Sequence, residues 1–165
     1  MRDTPMNLKL AGILVSAQSC MLFMEQDDNQ IDLLRLFEGA WLASPSARRC
    51  YAKVIKGKLL IPYSRSEESK LAGHHFNCRV VGNKLVCRFE RFDPYAAGVL
   101  FLKLGPNRTL KGGWWLNENI PKAIQDDISQ ISDKLPEMVR SVWVLMPKAK
   151  TPAWAKEYFL KDSSD

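Results

Sequence analysis

The sequence predicts a β-rich α+β domain: an antiparallel up-and-down meander, curved or closed into a barrel-like sheet, with a packed C-terminal amphipathic helix. Three observations predict it. Gly82-Asn83 is a two-residue hairpin signal between two alternating runs. The hairpin connections that follow keep one apolar face through to Trp114. After Trp115 the period lengthens, with Ile124, Ile128, Ile131 and Leu135 at spacings of four, three and four.

The 165 residues suggest a single domain over 1–165. A chain near this size buries roughly 70% of its unfolded surface and needs neither disulfide nor metal to fold. The apolar fraction of 46% and the charged fraction of 25% are those of a globular protein, and five Trp, seven Phe and four Tyr exclude a disordered chain. The formal charge of +6 permits an acidic partner. The basic residues are nonetheless spread along strands and turns, and no specific nucleic-acid motif accompanies them.

Taken in order, Leu8 to Met24 is an apolar run with Lys9 near its start and Ala17-Gln18-Ser19 inside it. It reads as a folded strand or helix of a cytoplasmic protein. The alternative is a secreted or periplasmic protein cleaved after Ser19. Its polar residues make it a poor membrane span, so no transmembrane segment is expected. Ile31, Leu34 and Phe37 predict a short helix from about Asn29 to Glu38.

A hairpin about Lys56-Gly57 sets Val54 opposite Leu59, Ala52 opposite Ile61 and Cys50 opposite Tyr63. Pro62 places that second strand at its end or near an edge. In the Gly82-Asn83 hairpin, Val80 faces Leu85, Cys78 faces Cys87, Phe76 faces Phe89, and His74 faces Arg91. Cys78 and Cys87 thus suit a cross-strand disulfide in an oxidising compartment, or two small buried thiols otherwise.

The turn Asp93-Pro94-Tyr95-Ala96 sets Phe89 opposite Leu100 and Cys87 opposite Leu102. Beyond Gly105-Pro106-Asn107, Leu100 meets Gly112, and Gly98 meets Trp114, where the glycine makes room for the indole. Six or seven strands result, and such a sheet needs closure or a covering layer. Pro121 and Pro136 bound a helix of about fifteen residues. Val139 to Met146 reads as a last strand, and Thr151-Pro152 opens a short helix through Phe159, with a frayed tail from Lys161.

Gly39-Ala40-Trp41 entering an up-and-down meander, then a helix, then one last strand, resembles the lipocalin and wider calycin plan. The resemblance implies that Gly39 opens the first barrel strand and that Trp41 closes one end. It also implies a small, mostly apolar ligand held inside the barrel.

His74 and Arg91, facing each other at the end of the apolar face, suit an anionic group: Arg offers a planar fork and His a switchable donor. Tyr63 and Trp114 are candidates to line the same pocket. Adjacent strand residues point to opposite faces, so His74 and His75 cannot share a metal ion, and no metal site or cofactor is expected. There is no Gly-x-Ser-x-Gly, reactive-cysteine or phosphate-loop signature, so no catalytic residue is assigned. The acidic pairs Glu67-Glu68 and Asp126-Asp127 read as solvated charge. The first expectation is therefore a non-enzymatic binding protein for a small apolar or amphipathic ligand with an anionic group. The second is an interaction module docking an acidic protein through Arg79, Lys84, Arg88 and Lys103 on the outer sheet face. A small hydrolase or isomerase in the same cavity is the third.

Overall fold

The computed structural model describes residues 28–65 and 68–164. The apolar run Leu8 to Met24, with Cys20 and the cleavage reading after Ser19, lies outside them, as does Glu67. Eight antiparallel strands follow one another around a closed barrel. They are β1 (Gly39–Ser44), β2 (Arg48–Ile55), β3 (Lys58–Ser64), β4 (Gly73–Val81), β5 (Lys84–Phe92), β6 (Tyr95–Leu104), β7 (Thr109–Leu116) and β8 (Val139–Leu145). The last strand returns to the first, with Trp41 opposite Leu145 and Ala43 opposite Trp143. Closure pairs the edges that an open meander would leave exposed, with the expected last strand at Val139 as the eighth. Pro62 accordingly sits within β3, paired with His74, and not at a sheet edge. The architecture is consistent with a calycin-like barrel.

The register follows the alternation wherever loop geometry does not intervene. Val54 faces Leu59 and Cys50 faces Tyr63, as expected. Val80 faces Leu85 and Arg79 faces Val86, but a β-bulge then interrupts β4 between Phe76 and Arg79, where Asn77 takes a φ of 51°. Beyond the bulge His75 faces Phe89, His74 faces Glu90 and Gly73 faces Arg91. One inserted residue reverses the faces, so the inward histidine is His75 and not His74, and the expected His74–Arg91 pairing does not form.

The next two pairings slide by two residues. Phe89 faces Gly98, Cys87 faces Leu100, and Leu100 faces Trp114. An even slide keeps every side chain on its expected face. It also changes what Gly98 accommodates: a Cβ there would stand 2.7 Å from the Phe89 ring.

Residues 28–35 form helix α1. With the following turn it closes one end of the barrel: Leu34 and Phe37 join Trp41 in the interior core. The Trp41 indole N–H donates to the Phe37 carbonyl at 3.0 Å, and the Gln30 amide exchanges two hydrogen bonds with the Val80 backbone at 2.6 and 3.3 Å. Above this plug Leu59, Ile61, Leu85, Cys87, Leu100, Leu102 and Leu110 pack against one another. An eight-stranded barrel is just wide enough for side chains to fill.

Two layers cover the outside. Helix α3 (Ala153–Ser164) seats Ala155 and Phe159 on Tyr51 and Leu60, and it runs through the tail expected to fray. Residues 117–138 form a strap over β5–β7, burying Ile120, Ile128 and Ile131 against Val86, Val99, Phe101 and Trp115. The expected fifteen-residue helix is broken: only α2 (Lys122–Asp126) and a single 3-10 turn at Ile128–Gln130 are helical. Asp127 breaks it. Its carboxylate accepts from the Ser129 amide at 3.2 Å and hydroxyl at 2.6 Å, a local bond that competes with the helix ladder. The apolar stripe reaches the sheet regardless.

Candidate functional site

The barrel interior changes chemistry along its axis. Toward the plugged end it is apolar throughout, with leucines and Ile61 packed above Phe37 and Trp41. At the other end, where the β1–β2, β3–β4 and β5–β6 loops and the strap meet, the inward positions carry Arg48, Tyr63, His75, Arg91 and Ser141 among aromatic rings. Inward strand positions repeat every second residue. Arg48 therefore shares the face of Cys50, and Arg91 that of Phe89.

His75 is the centre of this end. It is 5% exposed, and its Nδ1 is buried with no hydrogen-bond partner among the described residues. Tyr63, Trp143 and Phe89 surround it, with ring centroids 5.2, 5.4 and 6.0 Å away. Burial, then the charge of Arg48, then His74 lower its pKa to about 3. The imidazole is therefore neutral at ordinary pH, with one nitrogen a donor and the other an acceptor. A buried polar atom left unpaired costs about 1–3 kcal/mol.

Arg48 and Arg91 both act on the neighbouring Tyr63, and Arg48 acts on His75 as well. The Arg48 guanidinium lies 5.0 Å from the Tyr63 ring centroid. The Arg91 Nε donates to the Pro94 carbonyl at 3.0 Å. Among the described residues neither arginine is ion-paired. Tyr63 is fully buried, and its hydroxyl reaches the Glu90 carbonyl only at 3.5 Å. Burial raises its pKa, while Arg48, Arg91 and Arg65 pull it down. Gly73 makes room for it: a Cβ there would sit 2.4 Å from the Tyr63 hydroxyl. Trp143 Nε1 donates to Ser141 Oγ at 3.0 Å, and the Ser141 hydroxyl donates to the Ser44 carbonyl at 3.3 Å. A cleft of about 500 Å³ opens on this rim, lined by Arg91, Tyr95, Ala96, Ala97, Leu116, Asn117 and Glu118.

Of the four ligand residues expected from sequence, the barrel places three at this end. Arg91 and Tyr63 do so directly. Trp114 is half-buried against the same core, its ring edge-on to Phe89 at 5.7 Å. His74 does not belong. It lies on the outer surface, where Nε2 meets Glu90 Oε1 at 3.4 Å and Nδ1 bonds the Tyr158 hydroxyl, tying α3 to the barrel wall. Arg48, His75 and Trp143 were missing from the expected set. Arg48 was discoverable, two residues before Cys50 on a strand whose face was known. His75 was not, because nothing in the alternation marks the bulge.

The outer basic face is largely engaged within the chain. Arg79 pairs with Asp127 at 3.1 Å, Lys84 Nζ donates to the Ile131 carbonyl at 3.3 Å, and Arg88 donates to the Gln125 carbonyl at 2.5 Å. Lys103 lines a cleft with Lys111, Asp133, Met138 and Arg140. Three of these four residues thus anchor the strap.

Compared with protein-family models, curated proteins and solved structures, the chain matches none.

Proposed function

We propose that this chain is a non-enzymatic binding protein that takes a small amphipathic ligand by its anionic group at the unplugged end of the barrel. The observation that carries this reading is the unpartnered Nδ1 of buried His75 against the Tyr63 ring, on which Arg48 and Arg91 both act. Two guanidinium groups without carboxylate partners among the described residues favour an oxyanion, and arginine's planar fork suits a carboxylate or phosphate. The aromatic walls favour a flat or apolar body behind that group. The lower interior is occupied by aliphatic side chains, so the ligand sits at the mouth and not along the axis. The lipocalin-like plan is the same general reading, with the pocket moved to the rim. No observation favours the acidic-partner reading, since docking there competes with the strap.

Calorimetric titration with octanoate, and separately with inorganic phosphate, tests the reading. Hydrogen bonds to charged groups contribute about 1.5–3 kcal/mol each. Arg48→Ala and Arg91→Ala should therefore each weaken binding by about tenfold to a hundredfold. Octanoate binding unchanged in both variants would reject the site.

A further inference from the structure

We propose that Cys78 and Cys87 form a thiol–disulfide site in the barrel wall, oxidised by a small anionic disulfide entering from the cleft beside the β4 bulge. Both cysteines carry free thiols. The pair Arg79–Val86 sets the neighbouring positions side by side on adjacent strands. Cys78, within the bulge, packs against the interior cluster that contains Cys87.

The two thiols differ in access. Cys87 is fully buried, and burial pushes its pKa well above the ordinary thiol value. Cys78 is half-buried and lines a cleft of about 500 Å³ with Ile55, Lys56, Lys58, Leu60, Phe76, Asn77 and Asp162. Its position is that of an attacking thiol, with a resolving thiol behind it. The two lysines at the cleft favour a reagent carrying carboxylates.

The chemistry balances in two exchanges. The Cys78 thiolate attacks one sulfur of the disulfide, forming a mixed disulfide and expelling one thiolate. Cys87 gives up its proton and attacks the Cys78 sulfur, expelling the second thiolate. The protein loses two hydrogens and two electrons, and the reagent disulfide becomes two thiols. Cys50 is the internal control: it is equally buried, its pKa is pushed up to about 12, and it has no thiol neighbour among the described residues.

The test is incubation of the reduced full chain, in a Cys20→Ser background, with oxidised glutathione, read by intact mass and peptide mapping. The expected result is a loss of two hydrogens, a Cys78–Cys87 cross-linked peptide and unmodified Cys50. Cys87→Ser should instead accumulate a stable glutathione adduct on Cys78. No reaction, an adduct persisting on Cys78 in the chain that retains Cys87, or modification of Cys50 at the same rate would each overturn the proposal.

Discussion

Acidification from neutral pH to about pH 3 should cost the wild-type chain roughly 5 kcal/mol more stability than it costs a His75→Phe variant. The folded pKa of His75, about 3, lies below the unfolded value of 6.5. Between those values the unfolded chain holds the extra proton. The favourable difference is therefore complete above about pH 6.5 and is lost as pH falls towards 3. Urea unfolding of both proteins across this range measures it, and the difference between the two curves removes the carboxylates they share. Parallel curves would show that His75 titrates normally. At neutral pH the variant should match or exceed the wild type, because the unpaired Nδ1 goes with the substitution. A buried group that weakens the fold beside the Arg48 charge is what the proposed binding site requires, where local stability is traded for recognition.

Trp115→Ala should destabilise the chain by about 3–5 kcal/mol, the usual loss for a buried Trp. Trp115 is fully buried between β7 and the strap. It stacks on Phe101 at a centroid distance of 5.6 Å, and its indole N–H donates to the Pro136 carbonyl at 3.0 Å. Its removal takes away the surface on which Ile120, Ile128 and Ile131 rest. Chemical denaturation gives the magnitude. Hydrogen exchange locates the loss, with protection expected to fall first in residues 117–138 and last in the plugged end. A cost below about 1 kcal/mol, or unchanged exchange in the strap, would show that the polar anchors Arg79, Lys84 and Arg88 hold it alone.

The faces of the sheet were legible because a period of two survives any even error. Leu85, Cys87 and Phe89 point inward whether they meet Leu104, Leu102 and Leu100 or, as in the barrel, Leu102, Leu100 and Gly98. Loop lengths were not legible, so the two slides went unseen. The strap's apolar stripe was legible at Ile124, Ile128 and Ile131, but its continuous helix was not, since Asp127 and Ser129 form a competing local bond. The decisive miss is the bulge. Asn tolerates a positive φ better than most residues, and Asn77 is the only local hint of it. That one residue moves His74 to the outer wall and His75 into the barrel, and with it the centre of the candidate site.

The most direct test of an anion site around His75 is an NMR titration of the isotopically labelled chain with octanoate. Side-chain resonances of His75, Tyr63, Trp143, Arg48 and Arg91 should shift together with one dissociation constant. Those of Leu59, Leu102 and Leu110 should not move, and the response should vanish when Arg48 and Arg91 are both replaced by Ala. Shifts confined to the outer wall around His74 and α3, or a response that survives the double substitution, would contradict the account.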